Sequence, residues 1–180
     1  MVIVLIAGVC GCGKSSVGKA LAEKIGWPFE DADSFHSTAN VSKMKQGIPL
    51  TDEDRLPWLR SLHKLILKWR ANSESGILAC SALKNCYRQI ILHGKGSTTV
   101  CTDESNQDYI IVFLEGSKRL IQERMVQRDQ HFMPLSLLDS QFEVFEPSDN
   151  SSCSLNINIE KPVAEIVHEI IERINEIPHN

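Results

Sequence analysis

Five short apolar runs punctuate the chain, at residues 2–7, 27–29, 77–80, 110–114 and 155–159, and longer stretches with a helical repeat separate them. Val17, Leu21 and Ile25 follow a three-to-four spacing after the first run. Leu56, Leu59, Leu62, Leu65, Ile66 and Trp69 mark one face of a longer helix, and Val163, Ile166, Val167, Ile170, Ile171 and Ile174 form the clearest stripe. Strands that alternate with helices are the pattern of a parallel sheet, so the expectation is a doubly wound, five-stranded α/β fold flanked by helices. The second run is very short, and the fifth alternates with asparagine. Residues 94–107 are polar and glycine-bearing and read as an exposed connection. No repeat, heptad array or linker interrupts the pattern, and residues 1–180 read as one domain.

Composition narrows the function more than the fold. A chain of 180 residues, 42% hydrophobic, can bury a core without disulfides. Its formal charge of -4 argues against a general binder of nucleic acid or anionic membranes, so anion recognition must be local. Cys10, Cys12, Cys80, Cys86, Cys101 and Cys153 are scattered without a second C-x-C pair to complete a zinc site, which suits a reducing, cytoplasmic compartment. The apolar start lacks the basic region of a signal peptide, and no stretch approaches the roughly 20 apolar residues of a membrane span.

The sharpest signal is Gly8-Val9-Cys10-Gly11-Cys12-Gly13-Lys14-Ser15, followed by Ser16, directly after the first apolar run. It fits the phosphate-binding pattern G-x-x-x-x-G-K-[ST] in its required context of strand, loop and amphipathic helix. Glycines accept unusual backbone angles, so successive N–H groups can face inward around phosphate oxygens while the helix adds its positive N-terminal end. Lys14 would reach the β and γ phosphates of ATP, and Ser15 would offer a hydroxyl to Mg²⁺. The loop serves GTPases, ATPases and small-molecule kinases alike. A guanine-reading N-K-x-D and a D-x-x-G switch are both absent from the sequence, and the third run is followed by Ser81-Ala82-Leu83-Lys84 rather than closed by an aspartate.

Asp31-Ala32-Asp33 follows the short second run. In an extended segment alternate residues share a side, so both carboxylates would face one region beside the phosphate loop. Asp31 is then the candidate for the metal and Asp33 for the base that accepts a substrate proton. A turn or helix cap is the alternative for both.

From Asp31 onward, Asp31-Ala-Asp33-Ser-Phe-His36, Asn40-Val-Ser-Lys43-Met44, Gly47-Ile-Pro-Leu-Thr-Asp52-Glu-Asp54-Arg55-Leu-Pro57-Trp58-Leu59, Cys80-Ser81-Ala82-Leu83-Lys84 with Tyr87-Arg88, and His131-Phe132-Met133-Pro134 closely resemble the gluconokinase family. The match covers nearly the whole chain. It implies a phosphate-loop kinase fold like that of shikimate and nucleoside monophosphate kinases, transfer from ATP to D-gluconate giving 6-phosphogluconate, and a homodimer. His36, Lys43, Arg55, Lys84, Arg88 and His131 are the basic candidates for gluconate, a polyol whose single carboxylate suits a basic fork. Arg55 could equally form a helix-start salt bridge, and Lys84 with Arg88, four apart, either point into one cleft or form a solvated face. Arg124 and Arg128 open a lid segment at 124–140 similar to the family's; Arg124 is assigned to the nucleotide and Arg128 to the transferring phosphate. Gln141 lies in a segment, continuing through Phe142-Glu-Val-Phe-Glu146-Pro147, that also resembles the family, with helix packing and a contact near the substrate as its open roles. Cys10 and Cys12 depart from the family's usual serines and place two thiols beside Lys14, where either oxidation or alkylation of Cys12 would inhibit the protein unless ATP covers it, or both are inert small residues. The rival readings are a kinase for another small acceptor and an ATP-sensing module without an acceptor.

Overall fold

A computed structural model describes residues 1–95, 108–127, 136–147 and 152–177. In chain order its elements are β1 (Ile3–Ala7), α1 (Lys14–Ile25), β2 (Phe29–Asp31), a 3-10 turn (Ala32–Phe35), α2 (Thr38–Lys45), α3 (Asp52–Ala71), β3 (Gly76–Ala79), α4 (Asn85–His93), β4 (Tyr109–Glu115), α5 (Lys118–Val126), α6 (Ser136–Val144), β5 (Ser154–Asn158) and α7 (Val163–Asn175). The five strands form one parallel sheet in the order β2-β3-β1-β4-β5. β1 is central, with Leu5 in register with Leu78 on one side and Ile111 on the other.

The alternation of β1 divides the core. Val4 and Ile6 face a cluster with Val17 and Leu21 of α1, Ile121 of α5, and Ile166 and Ile170 of α7. Ile3, Leu5 and Ala7 face the opposite cluster, with Leu59, Leu62 and Trp69 of α3 and Ile91 of α4. All five residues of β1 are buried, as a strand covered on both faces must be. The helices pack closely enough to need glycine: a Cβ on Gly76 would meet the Trp69 ring at 2.6 Å, and one on Gly18 would meet Phe29 at 2.3 Å. α3 starts with a capping box, in which the Thr51 hydroxyl accepts from the Asp54 N–H while the Asp54 carboxylate accepts from the Thr51 N–H.

The second strand lies two residues later than the apolar run predicts. Pro28 lacks an N–H for the ladder and contributes only its carbonyl, which accepts from Ile77 at 2.9 Å. Pairing proper therefore begins at Phe29 and makes Asp31 the last residue of β2, at the carboxyl ends of the strands, where the phosphate loop also leaves β1. Of the exposed connection predicted at 94–107, only Gly94 and Lys95 fall among the described residues, and the lid segment at 124–140 is described at 124–127 and 136–140.

Candidate active site

β1 delivers the chain into a loop whose conformation only glycine tolerates. Gly8, Gly11 and Gly13 have φ of 142°, 82° and 103°. At Gly8 a Cβ would also lie 2.8 Å from the Leu114 carbonyl oxygen, and at Gly11 one would lie 2.6 Å from the Met125 side chain. α1 begins at Lys14 with no side-chain cap. The Lys14 ammonium turns back over the loop and donates to the Gly8 and Val9 carbonyls, each at 2.9 Å. Burial lowers its pKa, but Cys12, Cys10, Asp33 and Cys80 more than offset that, leaving Lys14 above the ordinary lysine value and charged at neutral pH.

Beside it, the Ser15 hydroxyl donates to Asp31 Oδ2 at 2.5 Å. Asp31 Oδ1 accepts from the Asp33 N–H at 3.1 Å, so Asp31 also caps the turn that follows. That turn corrects the extended geometry expected for the two aspartates. After Asp31 the chain enters a 3-10 turn, with Ala32 buried and its carbonyl accepting from the Trp58 indole N–H at 2.7 Å. Both carboxylates nevertheless line one pocket with Lys14 and Ser15, with Asp33 the more exposed. Two protein oxygens, Ser15 Oγ and Asp31 Oδ2, suit a Mg²⁺ that takes its remaining ligands from phosphates and water. Among the described residues no group of three or more His, Cys, Asp or Glu could hold a metal by itself.

The far wall of the pocket suits a polar acceptor. His36 stacks on Trp58, ring centroids 4.2 Å apart and planes 14° from parallel, and its Nδ1 is buried without a hydrogen-bond partner. Burial and the nearby Arg55 charge push its pKa down to about 4, so a neutral imidazole faces the pocket at physiological pH. Arg55 donates to the Leu50 carbonyl and lies 5.7 Å over the Tyr87 ring, and the Tyr87 hydroxyl donates to Asp52. Met44, Ile48, Pro49 and Leu50 complete this end with apolar surface.

The pocket thus brings together Cys10, Gly11, Gly13, Lys14, Ser15, Asp31, Asp33, His36 and Arg55. Other candidates sit off its wall. Lys43 pairs with both carboxylate oxygens of Asp54, at 2.7 and 2.8 Å, and Lys84 with Asp52 at 3.0 Å. Arg88 does not share a cleft with Lys84. Ala82 has a left-handed φ of 39°, and the β3–α4 loop leaves carbonyls short of helical partners; Arg88, 3% exposed, reaches back to Ala82 and Leu83 at 2.9 and 3.1 Å. Arg124 donates to the Ile159 carbonyl at 2.7 Å, beside the loop after β5. Cys12 is 1% exposed, its sulfur packed beneath Gly8, so the thiol expected to be open to oxidation is covered by the loop itself. Arg128 and His131 lie outside the described residues.

Trp58, Ser81, Tyr87 and Gln141 also line the pocket. All four fall in segments that resemble the family, but Trp58, Ser81 and Tyr87 carried no assigned role in the site. Gln141 carries a contact that spacing could not reveal: its Oε1 accepts from the Cys10 N–H at 2.7 Å, across 131 residues of chain.

Comparison with known proteins gives this geometry a context. The shikimate kinase family model matches residues 10–175. A curated rat protein, "Probable gluconokinase", is 43% identical, the match covering 96% of this chain and 97% of the relative. A crystal structure of a gluconokinase from Sinorhizobium meliloti superposes with a TM-score of 0.78 at 37% identity, over 97% of this chain and 91% of that one. An unliganded sugar kinase from Janibacter reaches a TM-score of 0.85 at 34% identity, over 97% and 95% of the two chains.

Proposed function

The chain belongs to the gluconokinase family, within the wider group that the shikimate kinase model describes, and we propose that it transfers the γ-phosphoryl group of ATP to D-gluconate, giving 6-phosphogluconate and ADP. The observation that carries this reading is one pocket with phosphate-binding machinery at one end and a neutral histidine, an arginine and a carboxylate at the other.

Each residue has a task in an in-line transfer. Arg55 takes the gluconate carboxylate, its guanidinium presented on the Tyr87 ring. His36, neutral and with Nδ1 unpartnered, exchanges a hydrogen bond with a hydroxyl along the polyol. Asp33 accepts the proton of the terminal hydroxyl as that oxygen attacks the γ-phosphorus, and the bond to the bridging oxygen breaks, its electron pair leaving with ADP. Lys14 exchanges its bonds to the Gly8 and Val9 carbonyls for phosphate oxygens. Ser15 and Asp31 hold Mg²⁺, which when bound neutralises phosphate charge. Arg124 is assigned to the nucleotide, and Arg128 and His131, on sequence grounds, to the transferring phosphate and the acceptor. Cys12, Cys80 and Cys86 are free thiols, which suits a reducing cytoplasm, and among the described residues no helix is long and apolar enough to cross a membrane.

The test is coupled ADP release with ATP and Mg²⁺ against D-gluconate, other aldonates, shikimate, nucleoside monophosphates and no acceptor. Strong stimulation by gluconate alone supports the proposal. Stimulation by another acceptor keeps a kinase and removes gluconate, and ATP binding without acceptor-dependent release leaves a nucleotide sensor.

A further inference from the structure

Trp58 joins two parts of the pocket wall that the chain supplies separately. It lies in α3 three residues after Arg55, and residues so spaced share a helix face. Both line the pocket with Asp33 and His36. The Trp58 side chain is 4% exposed and packs in the core cluster with Ala32, Leu59 and Leu62, which gives it a rigid base. Its indole N–H donates at 2.7 Å to the carbonyl of Ala32, the residue between the proposed metal ligand Asp31 and the proposed base Asp33. Its ring stacks on His36, which ends the 3-10 turn Ala32–Phe35. One side chain thus holds that turn by its backbone at the start and by a ring at the close.

Core packing accounts for the burial of a tryptophan, and any carbonyl would satisfy its N–H. It does not account for the choice of this carbonyl by the helix that also carries Arg55, itself fixed by the Leu50 carbonyl and the Tyr87 ring. Gluconate bears its carboxylate and its reacting hydroxyl at opposite ends of a six-carbon chain. Arg55 takes one end and Asp33 the other, and Trp58 links the helix of the first to the turn of the second. We propose that Trp58 is a positioning residue that sets the span between Arg55 and Asp33 and so selects acceptors by chain length. An acid one carbon shorter, held at Arg55, leaves its terminal hydroxyl short of the base, and a misplacement of about 1 Å can cost about a hundredfold. This rests on the gluconate reading given above.

The test compares D-gluconate with D-xylonate, which has the same configuration at carbons 2 to 4 and ends one carbon earlier. Steady-state ADP release gives kcat/KM for each acid, and their ratio does not depend on how much of a sample is folded. Trp58→Phe keeps a ring for His36 and removes the N–H. The benzothienyl analogue of tryptophan, incorporated at position 58, keeps the bicyclic shape and exchanges the N–H for sulfur, so the test stands even where phenylalanine fails to fold. The wild type is expected to favour gluconate by about a hundredfold or more, and each replacement to cut that ratio by at least about tenfold, with ATP affinity within about threefold. Equal use of the two acids by the wild type overturns the proposal. So does a wild-type ratio in the analogue, including one reached through an equal loss with both acids, which marks core packing alone. Failure of gluconate to stimulate the wild type is distinct: it sinks the gluconate reading, and this inference with it, before any variant is made.

Discussion

The Ser15 hydroxyl donates to Asp31 Oδ2 across 2.5 Å, joining the first turn of α1 to the last residue of β2. Because Asp31 also caps the turn leading to Asp33, one carboxylate ties the proposed metal position to the proposed base.

Asp31→Asn separates those two duties. Asparagine caps nearly as well as aspartate, so the melting temperature should move little, whereas its neutral oxygen is a poorer ligand for a hard cation. We expect the Mg²⁺ concentration for half-maximal ADP release to rise at least about tenfold. An unchanged Mg²⁺ dependence would remove Asp31 from the metal site.

His36 gives the protein an acid sensitivity of definite sign. Unfolded, the residue titrates near 6.5; folded, at about 4. Between those values the unfolded chain holds a proton that the folded chain does not, so the contribution is fully present above pH 6.5 and is lost as pH falls towards 4. Thermal melts from pH 7 to 4 should show a steeper fall for the wild type than for His36→Asn. Parallel curves would mean that His36 is not held neutral.

Arg88 is predicted to matter for folding before it matters for substrate. Arg88→Met leaves the Ala82 and Leu83 carbonyls without this donor, at a cost of about 2–3 kcal/mol in denaturant unfolding. A variant of wild-type stability with a greatly raised KM for gluconate would instead put Arg88 in the pocket.

How much of this the sequence disclosed depends on the range of the interaction. β1 and α7 were legible because a strand buried on both faces and a helix with one apolar stripe write their environment into local spacing. The phosphate loop was legible for the same reason, since its glycines answer to backbone angles set within the loop. β2 was misplaced by two residues because Pro28 is apolar but cannot donate to the ladder. Arg88 has the spacing of a partner for Lys84, and only the left-handed turn at Ala82 explains why it points inward. The resemblance marked the segments containing Tyr87 and Gln141, but their contacts with Asp52 and Cys10 span 35 and 131 residues and leave no periodic trace.

The claim at the centre of this account is that Asp33, on the same pocket wall as Lys14, takes the proton of the acceptor hydroxyl. Its most direct measurement is kcat with gluconate for Asp33→Asn beside the wild type, with ATP affinity measured on the same samples. General-base assistance is worth about 10²–10⁴-fold, so the account predicts a loss of at least about a hundredfold in kcat with ATP affinity nearly intact. Turnover within about tenfold of the wild type would contradict it.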